Sequence, residues 1–194
     1  HKEYRRQRQM CIRDSLYLWN ARMGAAFYMP IQAVEVALRN RIHHALVRRI
    51  GEDWWSDSEF LSLLNVEGQR SLRLVRLRIR SRQLPIVTSQ VVADLSFGFW
   101  VSLLGARFNP AIWGRELHFA FPNLSTDKTR EQLHLATREI LVFRNRISHH
   151  EPIFKRDLLR DFSDVMHVLR WICPATHDWV RPQCHVTLLA RQKP

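Results

Sequence analysis

RSLRLVRLRIRSRQ, residues 70–83, is the stretch on which the fold class turns. From Val75 onward apolar residues and arginines alternate with a period near two, the mark of a half-buried strand. Leu72, Val75 and Ile79 instead recur at three- and four-residue steps, which suits one face of a helix. Leu and Arg dominate the stretch and both favour helix, and no other part of the chain offers a clear strand partner. The helix reading prevails: these residues close a helix over 58–82, and the chain is read as an all-α bundle. Arg73, Arg76, Arg78, Arg80 and Arg82 form a charged face and are the leading candidates for a nucleic-acid phosphate-backbone tract. So many like charges call for an anion or acidic side chains nearby.

Toward the N-terminus, Ser56 or Asp57 caps that helix. The loop before it, Gly51 to Asp57, holds two adjacent indoles that cannot face the same way. One of Trp54 and Trp55 packs on the core; the other is read as packing there too, with a base or a subunit contact the alternative. A helix over 30–50 precedes the loop, with Pro30 in its first turn and Gly51 as its stop. Val34, Leu38, Ile42, Ala45 and Ile50 face inward. A first helix over 3–28 turns Tyr4, Cys11, Leu16, Leu18, Trp19, Ala25 and Phe27 to the core. Its early cations, Lys2, Arg5, Arg6, Arg8 and Arg13, read as a solvated helix tip, with RNA contact the alternative.

Toward the C-terminus, Pro85 breaks the pattern. Thr88 or Ser89 caps a nearly all-apolar helix through 104. Phe97, Phe99, Trp100 and Leu104 bury it in the core or in a dimer interface. A short helix over 109–120 points Trp113 and Phe119 inward. After a turn, Asn123 to Asp127, a helix over 126–149 carries the stripe Leu133, Ala136, Ile140, Phe143 and Ile147. A last helix over 156–173 buries Leu158, Phe162, Val165, Leu169 and Trp171, and Pro174 ends it. Residues 175–194 form a tail docked through Trp179 and Val180. No linker divides the chain, so 1–194 is read as a single helical domain.

The formal net charge is +12, and only four of the thirty basic residues are Lys. Arg grips phosphate in a fork and stacks on bases, so a polyanion, first of all nucleic acid, is the expected partner. A solvated basic surface or an Arg-favouring genome is the plainer explanation. No membrane partner is expected, because no segment resembles a transmembrane span or joins a basic face to a large apolar one. The charged N-terminus lacks a signal-peptide pattern, and the missing initial Met reads as processing or trimming. Cys11, Cys173 and Cys184, odd in number and scattered, read as cytosolic thiols rather than a disulfide framework or metal ligands. No Gly-rich phosphate loop is present, which argues against nucleotide triphosphate hydrolysis.

The chemistry concentrates in LVFRNRISHHEPIF, residues 141–154. Pro152 biases Glu151 away from helical angles and marks a helix end. Asn145 and His149, four apart, share a helix face, and Arg144 lies beside them. A guanidinium, an amide and an imidazole suit phosphate chemistry, the imidazole passing a proton. The spacing alone is weak: with 26 Arg and 10 His, chance gives roughly one such Arg-to-His match. A second copy stands at LRNRIHH, 38–44, where Glu35 pairs with Arg39 along the helix. Cations in a last helical turn also serve the helix dipole.

The wider wording, FRNRISHHEPIF (143–154), resembles the signature of the Abi-like (abortive infection) proteins of the HEPN superfamily. VEVALRN (34–40), GEDWW (51–55), DLSFGFWVSLL (94–104) and LRWICP (169–174) resemble other parts of that family in the same order. The resemblance implies a HEPN-like helical bundle with additional helices. It implies a metal-independent endoribonuclease with no cofactor, in which Arg144, Asn145 and His149 are catalytic. The Arg39 segment is read as mainly structural, with Glu35, Arg39 and His150 as further candidates to line the cleft. It implies a homodimer with a composite site, a bacterial phage-defence or toxin role in the cytoplasm, and restraint by an antitoxin protein or an inhibitory or guide RNA. Two rival classes remain: a non-catalytic RNA-binding HEPN scaffold holding a small RNA, and a subunit whose basic face docks an acidic protein.

Overall fold

A computed structural model describes residues 2–125 and 128–194, with the side chains of 13–114, 116–125 and 128–194. Every regular element among them is helical, so the all-α reading of residues 70–83 holds. The chain divides into two compact units, His1–Val34 with Glu139–Pro194, and Glu35–Arg138. The expectations on Tyr4, Cys11, Lys2, Arg5, Arg6, Arg8 and Asp127 fall outside what is described.

The first unit holds the start of α1 (Lys2–Arg49), the end of α7 (Arg130–Ser148), α8 (Leu158–Ile172), α9 (Pro174–Val180) and α10 (Val186–Ala190). Its α1 face is Trp19, Met23, Phe27, Ile31 and Val34, a stripe at four- and three-residue steps. Leu18 is 62% exposed and Ala25 is exposed, because both fall off that stripe. Phe27 meets the ring of Phe143 edge-on at 4.8 Å and that of Phe162 at 6.3 Å. α8 buries Leu158, Val165, Met166, Leu169 and Ile172 against them.

Pro30 does not open a second helix; α1 runs through it. The ring removes one backbone N–H and crowds the turn before it. Burial of Phe27, Ile31 and Val34 on both sides offsets that cost and holds the helix continuous. Pro174 likewise starts α9 instead of only ending α8. His177 and Val180 supply the buried face of α9, which leaves Trp179 69% exposed rather than docked. The tail is tied down elsewhere. Trp19 Nε1–H donates to the Leu189 carbonyl at 2.8 Å, and Lys193 Nζ lies 5.6 Å from the Trp19 ring.

The second unit holds the end of α1, α2 (Ser58–Leu63), α3 (Val66–Ser81), α4 (Thr88–Asp94), α5 (Phe97–Ser102), α6 (Gly114–Ala120) and the start of α7. The expected helix over 58–82 is two helices. Asp57 caps α2 by accepting the Phe60 N–H at 2.7 Å, and Asn65 caps α3 through the Gly68 N–H at 2.9 Å. Gly68 belongs there: a Cβ would come within 3.2 Å of the capping Asn65 oxygen. The expected helix from 88 to 104 also breaks, because Ser96 caps α5 at Phe99. Thr88 is no cap; it accepts from Trp55 Nε1–H at 3.0 Å and donates to the Glu52 carbonyl. Both indoles of the 54–55 pair are buried, the core-packing reading, and neither is open to a base. Phe119 is 68% exposed, since Trp113, Ala120 and Phe121 take the inward positions around α6.

Candidate active site

α7 is held by Leu133, Thr137, Ile140 and Phe143, all buried along one line. That line places Arg144 half-buried beside Phe143 and leaves Asn145 and His149 exposed. His149 N–H still donates to the Asn145 carbonyl at 2.9 Å, so the last α-type turn reaches His149. Asn145 and His149 lie about 40° apart around the axis, and Arg144 and His149 about 140° apart. The helix end therefore brings residues 145 and 149 to one face and sets residue 144 on another.

The helix terminates in a Schellman motif built without glycine. His150 N–H donates to the Ile147 carbonyl at 3.0 Å, and Glu151 N–H to the Arg146 carbonyl at 2.9 Å. His150 takes the left-handed position, with φ of +56°, a place that favours Gly. The hydrophobic contact that usually closes such a motif is replaced by an ion pair, Arg146 Nε to Glu151 Oε2 at 3.0 Å. Past Pro152, the Ile153 N–H donates to Asn20 Oδ1 on α1 at 2.8 Å, and Ile153 is buried. Lys193 Nζ donates to the Phe154 carbonyl at 2.8 Å. Behind the site, Arg156 forks onto both Asp161 oxygens at 2.7 Å and lies 5.0 Å from the Phe143 ring centroid. The bond to Asp161 holds this guanidinium above its ordinary pKa.

A groove of about 710 Å³ runs between α1 and this helix end. Tyr17, Asn20, Gly24 and Tyr28 line one side, Ser148 and His150 the other. Sequence reading missed the α1 residues by assigning Leu18 and Ala25 to the core. The signal was present: 17, 21, 24 and 28 repeat at steps of four, three and four, two tyrosines bracketing small residues.

Glu35 and Arg39, assigned to the cleft, lie half-buried on the part of α1 in the second unit. Arg39 Nε–H reaches Asn40 Oδ1 at 3.4 Å. The second Arg-to-His copy leaves its own histidine, His44, exposed, while the neighbouring His43 has a structural use. His43 Nδ1 accepts from Trp54 Nε1–H at 3.1 Å, which fixes the tautomer. Burial, then His44, pushes the His43 pKa down, Arg39 adding to the effect and Glu52 opposing it. The α3 arginines also lie in the second unit. Arg73 and Arg80 are exposed, and Arg76 lies 5.5 Å from the Trp55 ring centroid. Arg78 and Arg82 share Asp94, at 3.7 and 3.4 Å, the acidic neighbour such a run calls for.

Among the described residues no three His, Cys, Asp or Glu side chains gather to hold a metal, and no helix is long and apolar enough to cross a membrane. No family model, curated protein or solved structure matches the chain.

Proposed function

We propose that the chain is an endoribonuclease of the HEPN type that needs no metal, with Arg144, Asn145 and His149 as its working groups. The observation that carries the reading is the end of α7, where an exposed imidazole and an amide share a face on an anchored turn. The net charge of +12 favours a polyanionic substrate. His149 takes the proton of a ribose 2′-OH, and the freed oxygen attacks the adjacent phosphorus. The P–O5′ bond breaks, and the leaving oxygen takes a proton from a second imidazolium. The products are a 2′,3′-cyclic phosphate and a 5′-hydroxyl, and DNA is refused for want of the 2′-OH. Arg144 neutralises charge building on phosphorus, and Asn145 orients the imidazole or a phosphate oxygen.

One helix end supplies one such imidazole and sets Arg144 on another face of the helix. Both facts favour a homodimer in which two helix ends share a cleft, Arg144 of one copy serving His149 of its partner. An abortive-infection or toxin role, with an inhibitory RNA or antitoxin protein as restraint, follows from the family resemblance. The scaffold reading has an observation of its own: Arg73 and Arg80 are exposed and make no ion pair among the described residues.

The test is cleavage of end-labelled RNA in excess EDTA, parent beside His149→Ala. Cutting by the parent alone, leaving a cyclic phosphate, is the expected result. Equal cutting by both removes His149 from the chemistry. No cutting by either, with tight RNA retention, moves the reading to the scaffold.

A further inference from the structure

The groove between α1 and the end of α7 adjoins the candidate site and has no role in the reaction proposed above. Its volume, about 710 Å³, lies within the range of small-molecule sites. Two features distinguish it from an ordinary surface crease. Tyr17 and Tyr28 stand at its ends, 74% and 66% exposed. Eleven residues of helix set them about 16 Å apart. Between them the floor is cut away to Ala21, Gly24 and Ala25. The opposite wall offers Ser148 and His150, hydrogen-bonding groups on the very turn that carries His149.

Open aromatic faces over a shallow apolar floor, with polar groups at the edge, suit flat, unpaired bases. A second copy of the chain is the other natural occupant of a helix groove. An anion-bearing chain is favoured by Arg13 and Arg22, exposed on the same stretch of α1 as the tyrosines, and the one acid in the lining, Glu151, is already paired with Arg146. We propose that this groove is a base-binding subsite for single-stranded RNA, Tyr17 and Tyr28 stacking on bases that flank the nucleotide presented to His149. The placement of that nucleotide rests on the ribonuclease reading; the groove's affinity for bases does not. Duplex RNA, whose bases are already stacked, is refused by the groove.

The test uses the full chain and a fluorescent, 2′-O-methylated single-stranded oligonucleotide of mixed sequence, which cannot be cleaved through its 2′-oxygen. Its dissociation constant is measured against salt for the parent, Tyr17→Ala, Tyr28→Ala and Gly24→Leu. The tyrosines are exposed, and a Cβ at Gly24 meets Ile147 Cγ2 at 3.4 Å; thermal melts establish that each variant is folded before its affinity is read. Each tyrosine variant is expected to weaken binding about tenfold, and the filled groove of Gly24→Leu comparably. The salt slope stays unchanged, since no phosphate contact is lost. Parent-like affinity in all three folded variants overturns the proposal, as does a parent that does not bind the oligonucleotide. A reduced salt slope overturns it too, by placing phosphate rather than base in the groove. So does sedimentation showing that the variants break a dimer, which makes the groove an interface. Groove-dependent binding without cleavage of unmodified RNA leaves the proposal standing and removes the nuclease. Cleavage and affinity untouched by all three variants do the reverse.

Discussion

Replacing His150 by Gly separates what the end of α7 needs for folding from what it needs for chemistry. His150 holds φ of +56°, where an L side chain costs about 1–2 kcal/mol against its own carbonyl. Glycine removes that cost but gives back about 0.5–1 kcal/mol of unfolded-chain freedom. The His150 side chain is exposed and makes no hydrogen bond among the described residues, so little else changes. The two backbone bonds that close the turn, from His150 and Glu151 to Ile147 and Arg146, do not depend on the imidazole. The net expectation is a gain of up to about 1 kcal/mol, seen as a rise of about 2–4 °C in melting temperature for a chain of this size. Urea and thermal unfolding measure it, beside His150→Val, which keeps the backbone cost and adds β-branching. RNA cleavage is read on the same preparations. A more stable Gly variant that cuts poorly marks His150 as held in strain for function. A Gly variant less stable than the parent by about 1 kcal/mol or more refutes the reasoning, because the imidazole would then hold the turn.

Three further outcomes concern other parts of the fold. Arg156→Ala removes a two-pronged bond to Asp161 and a stack on Phe143. It is expected to cost about 1.5–3 kcal/mol, and the double variant with Asp161→Ala less than the two single losses together; urea titration of the four proteins checks both. Pro30→Ala restores a helix N–H worth about 3 kcal/mol and loses about 1.6 kcal/mol of buried ring methylenes. It is therefore expected to stabilise by about 1 kcal/mol, and a loss in the same titration refutes the account of α1. The His43 pKa is pushed down on folding, so the unfolded chain binds its proton at a higher pH than the folded one. Stability from this group is complete above pH 6.5, the ordinary imidazole value, and declines as the pH falls from there through the folded pKa. His134, depressed by burial and by Arg130 and Arg138, adds to the same trend. His43→Gln keeps an acceptor for Trp54, and melts from about pH 7.5 to about pH 5 should be flatter for it than for the parent.

What the sequence made legible was periodicity. Leu72, Val75 and Ile79 are the buried stripe of α3, and Leu133, Ile140 and Phe143 that of α7. Helix ends were harder, because the deciding contacts are local and have few letters. Asn65 and Ser96 each stop one helix and cap the next with a single oxygen, and neither stands beside a Pro. Pro30 failed in the other direction: a strong local signal lost to burial of the residues on both sides. Trp179 was misplaced, and the two indoles at 54 and 55 could not be told apart, for a related reason. A large ring's direction depends on partners such as Thr88 or on a neighbouring pair such as His177 and Val180, which no spacing within the segment reveals.

The two copies of Arg-Asn-Arg-Ile carry the sharpest contrast between wording and structure. Residues 39–42 and 144–147 are identical, and each copy has a His five places after its first Arg. After the first, the chain continues as helix to Arg49, and His43 is spent on Trp54. After the second comes one added residue, Ser148, and then, past the two histidines, Glu151 and Pro152. The helix must stop, and with no glycine to stop it His150 takes the left-handed place. The ending is then fixed from outside, by the ion pair of Arg146 with Glu151 and by Asn20 on the backbone of Ile153. The residues downstream of each copy therefore decide its use. The histidine at the motif spacing is exposed in both copies, His44 as well as His149, and it is the neighbouring His43 that packs on Trp54; what sets the second copy apart is its place on a helix end pinned by Asn20 and Glu151. That is why Arg144-to-His149, and not Arg39-to-His44, carries the functional proposal.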